Sequence, residues 1–95
     1  MTGPHKILLY DYVADVLERR APHRDAHLAR IAEWIESGSL LMAGATGDPP
    51  TGALFVFGDV PDEEINRFAD DDPYRAAGIV AKREIKPWTV VASHG

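Results

Sequence analysis

Hydrophobic positions fall into short blocks divided by turn formers, and their spacing alternates between strand-like and helix-like. Ile7-Leu8-Leu9-Tyr10-Asp11-Tyr12-Val13 is a short apolar and aromatic run that predicts a strand. Residues 14–21 read as a helical turn or a loop, with Arg19 and Arg20 solvated in either case. Pro22 suits a first helical turn, where its missing N–H has no partner to lose. From His23 to Ser37 the period becomes helical: Leu28, Ile31, Ala32 and Ile35 recur at three- and four-residue steps, and Gly38 supplies the stop. Residues 39–45 (SLLMAGA) predict a second strand, and 46–52 (TGDPPTG) a loop. A third strand follows over 53–57, ended by Gly58.

Pro61 opens a second helix, with Asp62, Glu63 and Glu64 in the turn where the helix dipole favours negative charge. Ile65, Phe68 and Ala69 form its apolar stripe. Asp72-Pro73 starts a further helical turn that Gly78 ends, and residues 79–91 complete the pattern as a strand. Pro87 marks an edge position or a bulge in that strand. The order β-α-β-β-α-β is that of a ferredoxin-like α+β domain, with both helices on one face of a four-stranded antiparallel sheet. Leu8-Leu9, Leu40-Leu41-Met42 and Leu54-Phe55-Val56-Phe57 are apolar on consecutive residues, so both faces of these strands call for burial. The simplest cover for the bare face is a second copy, in a twofold homodimer.

Ninety-five residues make a single domain, 1–95, too short for two independent cores. The net charge of −5 argues against nucleic-acid and anionic-membrane partners. With no cysteine, neither a disulfide nor a thiolate nucleophile is available. No apolar run approaches the roughly 20 residues needed to span a bilayer. The N-terminus carries no signal-peptide pattern, so a cytoplasmic protein is expected.

Candidate chemistry centres on His27. On a wheel of about 100° per residue it lies at one border of the apolar arc. Partial desolvation there favours the neutral imidazole that a general base needs. A structural histidine bonded to backbone is the competing reading. Asp72 precedes Pro73 and makes a good helix cap, and a capping carboxylate can also orient an imidazole. Its neighbours Asp70 and Asp71 read as a solvated acidic run without the glycine-bearing pattern of a calcium loop. His23 and His27 stand four apart but have no third ligand at a recognisable spacing, so no metal is expected. Ser37, Ser39 and Ser93 lack a nucleophile-elbow context.

Two sets of residues resemble the YciI-like (YCII-related) proteins. His27-Leu28-Ala29-Arg30-Ile31 followed by Gly38-Ser39-Leu40-Leu41-Met42-Ala43-Gly44 is similar to their first half. Phe68-Ala69-Asp70-Asp71-Asp72-Pro73-Tyr74, Ala77-Gly78 and Ile85-Lys86-Pro87-Trp88 are similar to the second. The resemblance implies a dimeric α+β barrel and a histidine–aspartate active-site pair, at His27 and Asp72 here. Its fold relatives include muconolactone isomerase-type enzymes and a chlorinated-muconate dehydrochlorinase. The short loop from Gly47 to Gly52 implies a pocket rim unlike that of members with a longer insertion.

The resulting expectation is a cofactor-free enzyme moving protons on a small organic acid or related metabolite, as a lyase, isomerase or hydrolase. His27 acts as general acid/base and Asp72 fixes its tautomer. Tyr74 and Tyr10 are expected to donate hydrogen bonds to substrate, and Arg20 or His23 to hold a carboxylate. The alternative is a non-catalytic ligand-binding or accessory domain. The two are separated by whether His27 comes within hydrogen-bond reach of Asp72.

Overall fold

The computed structural model describes residues 1–94. Strand β1 spans Gly3–Tyr12, β2 Leu40–Thr46, β3 Gly52–Phe57 and β4 Val80–Val90. The helices are α1 (Val16–Arg20), α2 (Arg24–Ser37), α3 (Asp62–Asp70) and α4 (Pro73–Ala76), with a 3₁₀ turn at Ala21–His23 joining α1 to α2. The strands pair antiparallel in the order β2-β3-β1-β4, as the ferredoxin-like reading requires.

β1 begins earlier than its apolar run because β4 pairs with it as far as Gly3, opposite Val90. Pro87 stands on an edge strand, where a residue without an N–H is tolerated. The bulges lie elsewhere, between Asp11 and Tyr12 and between Leu40 and Met42. Gly38 closes α2 in the left-handed conformation at φ 90°, its N–H donating to the Ile35 carbonyl. Gly52 is demanded by close approach, since a Cβ there would collide with the Tyr10 carbonyl oxygen of β1.

Alternation along the strands divides the side chains between two faces. Leu8, Tyr10, Phe55, Phe57 and Leu40 point under the helices and pack with Ile65, Phe68 and Ala69 of α3. Phe68 meets Phe55 and Phe57 in edge contacts at 5.1 and 5.6 Å, worth about 0.5–1.5 kcal/mol each beyond the buried area. Ile7, Leu9, Leu54, Val56 and Met42 share the other face, which no helix covers. Among the described residues no helix is long and apolar enough to cross a membrane.

The buried side of α2 differs from its hydropathy pattern. His27, Ile31 and Trp34 face the core, while Leu28 and Ile35 are each 44% exposed and Ala32 is exposed. Trp34 makes edge contacts with Phe57 at 6.3 Å and Phe68 at 5.4 Å. Burying that indole outweighs burying either branched aliphatic chain, and it turns the helix so that His27, seven residues earlier, faces inward too.

Candidate active site

His27 sits near the start of α2, and Asp72 caps α4 on the far side of the chain. Asp72 has the extended backbone of an N-cap (φ −66°, ψ 127°), and its Oδ1 accepts the Tyr74 backbone N–H at 3.0 Å. The same oxygen lies 2.8 Å from His27 Nδ1, so the two residues are within hydrogen-bond reach. The other oxygen, Oδ2, accepts the Tyr10 hydroxyl at 2.8 Å. Both side chains are nearly sealed from solvent, at 7% exposure for His27 and 1% for Asp72.

This geometry determines which imidazole nitrogen is free. A carboxylate only accepts, so Nδ1 carries the proton it donates to Asp72. Nε2 has no hydrogen-bond partner among the described residues. The imidazole lies flat on the Tyr74 ring, 3.7 Å between centroids and 6° between planes, and meets Phe55 edge-on at 6.4 Å. Ring stacking and the Asp72 bond together leave the imidazole one orientation.

His27 lines a cleft of about 200 Å³ between α2 and the β2–β3 strands. Leu28 and Ile31 form one wall, and Ala43, Ala45 and Ala53 another. Tyr12, Tyr74, Arg20 and Arg24 line it as well. Of the residues singled out in the sequence, His27, Tyr74 and Arg20 reach this cleft, with Asp72 directly behind the imidazole. Tyr10 does not line it: its hydroxyl is spent on Asp72, so it supports the carboxylate instead of offering a donor to substrate. His23 also stays outside the lining, because it belongs to the 3₁₀ turn and not to the helix that carries His27.

Tyr12 and Arg24 were not among the sequence candidates. Tyr12 shares a strand face with Tyr10, a spacing that signals its position, whereas no spacing places Arg24 beside Arg20, because the 3₁₀ turn at Ala21–His23 separates them. Burial holds the Tyr10 phenol far above its ordinary range, and the Asp72 charge raises it further. Tyr12 is raised by burial, then by Tyr74 and Asp72, with Arg20 opposing. Tyr74 is raised by burial, with both Arg20 and Arg24 pulling it down.

The family profile of the YCII-related domain matches residues 6–89. Protein YciI of Escherichia coli O6:H1 is 37% identical over 87 residues, covering 82% of this chain and 89% of the relative. Protein YciI of Shigella flexneri matches with the same identity and coverage. Among solved structures, a 5-chloro-2-hydroxyhydroquinone dehydrochlorinase from Burkholderia phenoliruptrix, in complex with 2,5-dihydroxybenzoquinone, superposes with a TM-score of 0.74. That match has 21% identity and covers 96% of this chain and 95% of the other. A NIPSNAP domain protein from Burkholderia xenovorans superposes at 0.55, with 16% identity over 97% of this chain and 98% of its own. At these identities the solved structures speak to the fold, while the profile and the curated relatives show that the chain belongs to the YciI-like, YCII-related family.

Proposed function

We propose that this protein is an acid/base enzyme that moves a proton on a small organic acid or related metabolite, with no group beyond its own side chains. The observation that carries the reading is the 2.8 Å contact between His27 Nδ1 and the buried Asp72 carboxylate, which leaves Nε2 to the cleft. Asp72 fixes the tautomer and stabilises the imidazolium that forms when Nε2 takes a proton. Tyr10 and the Tyr74 N–H hold the carboxylate in place. A lyase, isomerase or hydrolase step follows from the same proton transfer.

The uncovered sheet face belongs to the same reading. Leu9, Leu54 and Met42 form an apolar surface of a kind monomers seldom leave in water, and a second copy of the chain covers it in a twofold dimer.

The activity test is uptake of solvent deuterium by a panel of small carbon acids, read by mass spectrometry. 2,5-Dihydroxybenzoquinone, the ligand of the dehydrochlorinase neighbour, is included as a binding probe. Exchange that wild type catalyses and His27→Gln does not is the expected result. Exchange surviving in His27→Gln removes the imidazole from the chemistry, and ligand binding with no exchange leaves a binding domain.

A further inference from the structure

We propose that the cleft takes a single-ring anion, such as a monocyclic carboxylate, with its charge held by Arg20 and Arg24. This rests on the acid/base reading above and names the substrate class for the same site.

The chain carries 15 acidic residues against 10 lysines and arginines, so carboxylates are plentiful. Arg19, Arg67, Arg75 and Arg83 each find one within 4 Å. Among the described residues Arg20 and Arg24 form no ion pair and no hydrogen bond, although both line the same cleft. Two unneutralised guanidiniums on one cleft of an acidic protein leave room for an anion, and the planar fork of each suits a carboxylate.

Position points the same way: Arg20, Arg24, Tyr12 and Tyr74 all line the cleft, so cations and hydroxyls share it. Tyr74 stacks on the His27 ring at 3.7 Å, which connects the anion-holding groups to the acid/base nitrogen.

Ala43, Ala45 and Ala53 keep the sheet wall low, and Leu28 and Ile31 face it from α2. An apolar cavity of about 150 Å³ holds benzene. A cleft of about 200 Å³ therefore fits one ring with one or two substituents, and it falls below the size of drug-like pockets. Leu28, 44% exposed without a ligand, gains an apolar contact when a ring is present.

Isothermal titration with benzoate, its neutral isostere benzamide and acyclic butyrate tests the proposal on the intact protein. Benzoate should bind at least about tenfold more tightly than either comparison compound. The Arg20→Gln/Arg24→Gln double variant should weaken benzoate by about tenfold or more and leave benzamide unchanged. Ala45→Leu, which fills the sheet wall, should weaken benzoate while both arginines remain. Folding of each variant is verified by its amide NMR spectrum.

Equal affinity for benzoate and benzamide, an unchanged double variant, or no benzoate binding at about 10 mM overturns the proposal. Failure of the acid/base reading is separate. Benzoate binding through the arginines, with proton exchange insensitive to His27→Gln, removes that reading and leaves the ligand class standing.

Discussion

Removing the Asp72 side chain is the most severe single perturbation the site offers, and its cost can be worked from the contacts. Asp72→Ala deletes the α4 cap, worth about 1 kcal/mol. It also strands the Tyr10 hydroxyl and the His27 Nδ1–H, both in a nearly dry environment, at about 1–3 kcal/mol each. The expected loss is about 3–7 kcal/mol out of a total on the order of 5–15 kcal/mol. For a domain of this length each kcal/mol lowers Tm by about 4–8 °C, so the fall is at least about 12 °C. Asp72→Asn keeps the shape, the cap and one acceptor, so it should lose only about 1–2 kcal/mol. Thermal and urea unfolding of wild type, both Asp72 variants, Tyr10→Phe and the Tyr10→Phe/Asp72→Ala double variant form a complete cycle. Since the double variant has no hydroxyl left to strand, it should be more stable than the sum of the single losses predicts, by about 1–2 kcal/mol. A loss below about 1 kcal/mol for Asp72→Ala, or strict additivity in the cycle, refutes the claim that Asp72 satisfies buried donors.

Three other outcomes are expected. The Tyr10 phenol is held above its unfolded value, so its contribution is complete below about pH 10 and is lost as pH rises beyond it, by at most about 1.4 kcal/mol per pH unit. Urea midpoints between pH 9 and 11 should therefore fall less steeply in Tyr10→Phe than in wild type, and identical slopes contradict the assignment. Gly52→Ala forces a methyl group into the Tyr10 carbonyl and should cost about 1–3 kcal/mol or prevent soluble expression; a variant as stable as wild type shows that β1 and β3 can separate there. Leu54→Lys places a charge on the open sheet face, and light scattering should report a dimer for wild type and a monomer for the variant. A wild-type monomer at micromolar concentration excludes the proposed dimer.

Much of the architecture is legible because its boundaries rest on local chemistry. Gly38 needs the left-handed conformation, residues 47–51 cannot continue a strand, and Asp72-Pro73 is a helix start by residue type alone. The rotation of α2 is not legible in that way. Hydropathy favours Leu28, Ile31 and Ile35, whereas the face actually buried is chosen by aromatic partners on β3 and α3, far away in sequence.

The candidate site divides along the same line. Spacing gives His27 and Asp72 separate structural jobs, and the family resemblance links them, but the 2.8 Å contact spans 45 positions and exists only once the sheet is formed. Tyr10 illustrates the limit, since nothing in a strand pattern tells whether a hydroxyl faces a ligand or a buried carboxylate. His23 shows another: four residues before His27 predicts a shared face only if the helix is continuous, and the 3₁₀ turn at Ala21–His23 has a different twist per residue.

Which nitrogen of His27 carries the proton is read directly by the long-range ¹H–¹⁵N NMR spectrum of the imidazole. In wild type at neutral pH the pattern should be that of an Nδ1–H tautomer with a bare Nε2, and in Asp72→Asn the preference should weaken or invert. An Nε2–H tautomer in wild type, or a pattern untouched by Asp72→Asn, contradicts the claim that His27 and Asp72 work as one acid/base unit.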